Sequence, residues 1–193
     1  SSDSSPHLSI LSQLASDELL ARTATALDEI YQAAVLKNAR AILVIGRPQS
    51  GKTELLRLTY DRLFHEQGRT LPIYFSLRRD RLSPDKFAKD FLLTLLRQYL
   101  AFVNHDATLV PRYELTERDL LNLAAANEYA ALKEILDSYE ARAQEADKRS
   151  LVRYALGLPQ RLAARSSYHL TVLLDEAQWL DRIVTDEEIA NLF

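Results

Sequence analysis

The chain has 193 residues, 47% of them apolar and 26% charged, a balance that suits one globular unit of ordinary size. Its formal net charge of −3 argues against a protein that coats nucleic acid, because phosphate neutralisation on that scale needs a basic surface. There is no Cys, so disulfides and thiolate metal sites are excluded, and His7, His65, His105 and His169 show no metal-ligand spacing.

The chain opens on a Ser-rich stretch, and residues 1–15 are expected to form a flexible arm ahead of one core at 16–193. Residues 16–38 read as a helix: Leu20, Ala24, Leu27, Ile30, Tyr31 and Ala34 recur at three- and four-residue steps. Residues 41–45, Ala-Ile-Leu-Val-Ile, form an unbroken apolar run of the kind a strand covered on both faces carries. A glycine-containing loop follows, then a helix over 54–66 with Gly68 as its expected C-cap. Residues 71–77 read as a second strand, favoured by Tyr74 and Phe75. Ser83-Pro84-Asp85 opens another helix with Pro84 at its first position, lined by Phe87, Phe91, Leu92, Leu95, Leu96 and Leu100.

Residues 102–113 read as a loop, and 116–146 as a long helical segment, capped by Thr116 with Asp119 and open to a break. A helix closing at Gly157 and a short one from Pro159 come next. Residues 170–174 form a further buried-type strand, ending at Asp175-Glu176. Strands alternating with helices give an α/β class with a mainly parallel sheet, with a helix-rich insertion at about 84–166. No run is long enough to span a bilayer and no signal peptide is visible, so a cytoplasmic location is the default expectation. Ser at position 1 and the lack of Met read as a processed or excised fragment, or as a sequence from which some residues were lost.

Gly46-Arg47-Pro48-Gln49-Ser50-Gly51-Lys52-Thr53 fits G-x-x-x-x-G-K-[ST] at every fixed position, between an apolar strand and an amphipathic helix. A loop of this spacing turns its backbone N–H groups inward around a phosphate chain, and the following helix adds its positive end; Glu54 continues the segment. Glycine at 46 and 51 keeps side chains out of that path. Lys52 would place its charge on the β- and γ-phosphates, and the Thr53 hydroxyl would ligate Mg²⁺. Asp175, at the C-terminal end of the later strand, is the second expected Mg²⁺ ligand. Glu176 would orient or deprotonate an attacking water, and Gln178 would sense the γ-phosphate or a neighbouring subunit. Trp179 reads as a packing residue and the Arg78, Arg79, Arg81 cluster as a solvated loop.

With both motifs in hand the chain resembles the additional-strand P-loop ATPases, the group holding AAA+ and STAND proteins, and most resembles the archaeal-type ATPase family. The likeness lies in residues 45–55, in Ile73-Tyr74-Phe75-Ser76-Leu77 with the helix after it, and in residues 155–163 leading to Leu174-Asp175-Glu176-Ala177-Gln178. Ala177 stands where that family usually has an aromatic, and its Gly-Arg-x-x-Glu motif is absent, leaving the adenine contacts unassigned. The resemblance implies a P-loop three-layer sandwich, cut short soon after its Walker B strand. Sensor strand, arginine finger and helical lid would lie beyond Phe193. It also implies ATP and Mg²⁺ as ligands, ATP hydrolysis coupled to an assembly or conformational change, further domains of the same polypeptide, and room for a homo-oligomer. A non-hydrolysing nucleotide sensor and a helicase-type motor, with nucleic acid as partner, remain open beside it. A GTPase lacks its Asn-Lys-x-Asp motif here, and a nucleotide kinase would need an Arg clamp that only Arg78 and Arg79 suggest.

Overall fold

The computed structural model of the chain describes residues 17–36, 51–79, 83–145 and 147–184. The elements are α1 (Asp17–Val35), α2 (Lys52–Glu66), β1 (Thr70–Ser76), α3 (Pro84–Val103), α4 (Glu117–Leu123), α5 (Ala126–Ala143), α6 (Lys148–Leu156), α7 (Leu158–Arg165) and β2 (His169–Asp175), with 3₁₀ turns at Ala107–Leu109 and Ala177–Arg182. The protein is mixed α/β and mostly helical, with a small two-stranded parallel sheet among the described residues. The strand expected at 41–45 and the loop at 46–50 lie outside the described residues, as does the N-terminal arm.

β1 and β2 run parallel in a register that sets Tyr74 opposite Leu173 and Ser76 opposite Asp175. Parallel neighbours need a long crossover, and helices α3 to α7 fall within it. Leu71, Ile73 and Phe75 on one face of β1 and Thr70 and Pro72 on the other are buried, as a strand covered on both faces requires. The amide of Gln98, from α3, closes the edge of β1 away from β2. Its Oε1 accepts from Tyr74 N–H at 2.7 Å and its Nε2 donates to Tyr74 C=O at 2.8 Å. Pro72, two residues back on that edge, has no N–H to leave unpaired.

The α3 helix is the hub of the core. Pro84 holds its first turn, and from Phe91 to Phe102 all but Leu93 and Thr94 are buried. It packs on β1 and on α6. Phe75 meets Phe87 and Phe91 edge-on at 5.8 and 5.1 Å, a favoured aromatic geometry. The α1 helix packs on α2, and Thr171 of β2 donates to Ala34 C=O at its end.

Several boundaries differ from the sequence expectation. The α2 helix starts at Lys52, so the lysine and threonine of the phosphate-loop motif belong to its first turn. It is capped by Gln67 in the left-handed region (φ 47°), not by Gly68; the Gln67 amide donates to Phe64 C=O at 2.7 Å, satisfying one of the helix's last carbonyls. The segment expected as a loop from 102 carries the end of α3, through Val103, and then the 3₁₀ turn. The long segment after Thr116 breaks at Ala124–Ala125 into α4 and α5, and its Thr116–Asp119 capping box is formed. Among the described residues no helix is long and apolar enough to cross a membrane.

Candidate functional site

Two of the residues singled out in the motifs, Thr53 and Asp175, meet at the C-terminal end of β2. Gly51 precedes α2 with φ 81°, and a Cβ built there would touch nothing within 4 Å, so the backbone conformation rather than crowding calls for glycine. That turn feeds directly into Lys52 and Thr53, at the N-terminus of a 15-residue helix whose dipole favours an anion. Glu54 is exposed in the same first turn.

β2 delivers Asp175, which is only 6% exposed. Thr53 Oγ1 donates to Asp175 Oδ2 at 2.8 Å across 122 residues of sequence. The same oxygen accepts from the Tyr74 hydroxyl at 2.9 Å, and Oδ1 accepts from Glu176 N–H at 2.9 Å. A buried polar group needs such donors, because without them it gives up its hydrogen bonds to water with nothing in their place. The Tyr74 hydroxyl is pushed up to about 12, first by its own burial and then by its bond to Asp175, so it stays protonated and donating. Arg57, one helical turn beyond Thr53, brings its guanidinium to 6.0 Å from the Tyr74 ring.

Glu176 is exposed and sits in the left-handed region at φ 57°, an uncommon conformation for a non-glycine residue. Its Oε2 accepts from Gln178 Nε2 at 2.6 Å, so the two are joined to each other. Trp179 is half-buried against the core, with the Arg79 guanidinium 5.7 Å from its ring. Arg78 and Arg79 are exposed. Residues 46–50, the rest of the phosphate-loop motif (Gly46, Arg47, Pro48, Gln49, Ser50), lie outside the described residues.

Tyr74 is the site residue that sequence reasoning missed. In the β1–β2 register it shares a face with Ser76 and is the diagonal neighbour of Asp175, within reach of a long side chain. A tyrosine two positions before the end of a strand was the available signal, but the pairing partner had to be known to use it.

As metal chemistry, a threonine hydroxyl and one carboxylate are hard oxygen donors of the sparse kind used when Mg²⁺ takes its other ligands from water and phosphate. No group of three or more His, Asp or Glu converges among the described residues, so an all-protein cage is not the arrangement found there. Comparison of the chain with protein-family models, with curated proteins and with solved structures gives no match.

Proposed function

We propose that the chain binds ATP with Mg²⁺ and hydrolyses it as a P-loop module of a larger switch or assembly ATPase of the AAA+ and STAND kind. The observation that supports this reading is the 2.8 Å hydrogen bond from Thr53 to Asp175. These are the two residues whose motifs independently mark them as Mg²⁺ ligands, and they lie far apart in the chain. Bound Mg²⁺ would neutralise charge on the β- and γ-phosphates. The chain's own contributions are then distinct. Lys52 supplies a fixed positive charge to the phosphates, the start of α2 adds its dipole, Asp175 and Thr53 hold the cation, and Glu176 serves a water.

A second reading, a nucleotide sensor that binds without turnover, is favoured by one feature: Glu176 is tied to Gln178 at 2.6 Å, away from any task on water. Calorimetry with Mg²⁺-ATP and Mg²⁺-GTP separates base choice, with ATP expected to bind more tightly. Lys52→Ala should weaken ATP at least about tenfold, since charge-assisted contacts to phosphate are the strong ones. Unchanged affinity in that titration would overturn the proposal. Phosphate release then divides the readings. Turnover abolished by Glu176→Gln with ATP still bound supports the hydrolase; a wild type that binds ATP and releases nothing supports the sensor.

A further inference from the structure

A cavity of about 640 Å³ opens between α2, the C-terminal end of β1, α3 and the loop at 110–113. Two polar groups in its lining are unlike ordinary surface residues. Arg97, on α3, is 3% exposed, with the carboxylates of Glu114 and Asp90 acting on its charge. Its Nε donates to Val110 C=O at 2.9 Å and its guanidinium lies 4.5 Å from the Tyr113 ring centre. Tyr60, on α2, is 8% exposed, and its hydroxyl is buried with no hydrogen-bond partner. The two are neighbours electrostatically: Arg97 opposes the upward push that burial gives the Tyr60 hydroxyl. Burial in turn lowers the Arg97 guanidinium from its ordinary range. A buried hydroxyl is normally paired and that of Tyr60 is not, whereas Arg97 is held by Val110 C=O and the Tyr113 ring.

We propose that this cavity binds a small monocarboxylate with an apolar body, its carboxylate received by the Arg97 guanidinium and the Tyr60 hydroxyl. The planar fork of arginine matches a carboxylate through two parallel hydrogen bonds. The lining holds Arg57, Arg78 and Arg97 with Asp61 and Asp90, a net charge of one positive unit, which suits a single negative charge better than a polyphosphate. Phe75, Leu77, Phe87, Leu93 and Val110 supply an apolar wall for the ligand's body. The volume falls within the range of small-molecule sites. Tyr74 lines the cavity as well as donating to Asp175, so a ligand here would sit against a residue that positions that carboxylate.

The test is calorimetry on the full chain without nucleotide, using phenylpropionate, octanoate, the neutral phenylpropionamide and inorganic phosphate. Both carboxylates are expected to bind saturably below about 1 mM, with the amide at least about tenfold weaker and phosphate weaker still. Arg97→Lys keeps the charge but not the fork and should weaken both carboxylates. Because Arg97 is deep in the core and its variants risk unfolding, Tyr60→Phe is the second arm. It removes a hydroxyl that has no protein partner, so thermal stability should hold or rise while carboxylate affinity falls about threefold or more. The proposal is overturned if neither carboxylate binds, if the amide or phosphate binds as well as the carboxylates, or if Tyr60→Phe leaves affinity unchanged. None of these outcomes depends on whether ATP binds.

Discussion

Asp175 holds three donors on two oxygens, and each of them has a different reason to be there. The Glu176 N–H belongs to the backbone as β2 ends, Thr53 comes from the helix start, and Tyr74 from the neighbouring strand. Removing one donor leaves the other two, so Tyr74→Phe should cost only about 1 kcal/mol, read from urea unfolding. A loss near zero would mean that water replaces the tyrosine hydroxyl fully. Gly51 is a different kind of residue, since its φ of 81° is a matter of backbone alone. Gly51→Ala should cost about 1–2 kcal/mol, and Gly51→Asn distinctly less, because asparagine tolerates the left-handed region. Equal losses in thermal unfolding would point to crowding instead. Gln178 bears on turnover rather than stability. If its bond to Glu176 restrains that carboxylate, Gln178→Ala should raise phosphate release by up to about fivefold, the equivalent of one hydrogen bond of about 1 kcal/mol. A fall in rate would instead make Gln178 a participant.

At the scale of elements, the sheet edge depends on one amide. Gln98 is 4% exposed and satisfies both backbone groups of Tyr74. Gln98→Leu would leave a buried N–H and a buried C=O without partners, at about 1–3 kcal/mol each. The capping threonine is the contrast: Thr116 is exposed, and Thr116→Ala should cost about 1 kcal/mol. Amide exchange separates them further, since the Tyr74 N–H should lose protection only in the Gln98 variant. The helices were largely legible because their signals are local. Pro84, the Thr116–Asp119 box and Gly157 each act on the turn beside them, and each marks a helix end. Gln67 was not legible, since its left-handed cap is favoured by an amide that reaches back to Phe64, while a glycine beside it offered the more familiar signal. The break left open in the long segment falls at Ala124–Ala125, which carries neither glycine nor proline, so its position was not announced. Of the candidate site, Thr53 and Asp175, which meet, and Glu176 beside them were singled out by their motifs. Tyr74 and Arg97 were not, because what distinguishes them is the partner across the fold.

For the whole molecule, the buried tyrosines set how folding responds to alkali. The hydroxyls of Tyr74 and Tyr139 are pushed up to about 12, in both cases first by burial, and those of Tyr60 and Tyr99 are pushed up further by the same cause. In the unfolded chain all four would titrate near their ordinary value of about 10. The folded pKa lies above the unfolded one, so the stability linked to these groups is fully present below about pH 10 and is lost as pH rises toward about 12. Between those limits the native state retains protons that the unfolded chain has released, and stability must fall with each step in pH. Urea midpoints are therefore expected to stay level from about pH 7 to about pH 9 and then to drop, with the tyrosinate absorbance of the native protein lagging behind that of the unfolded chain. Replacing Tyr60 by Phe removes one of the four groups and should make the alkaline decline shallower, which distinguishes tyrosine linkage from the general loss of lysine charge over the same range. Native tyrosines that all ionise near pH 10, with no lag, would show that burial does not hold these hydroxyls neutral.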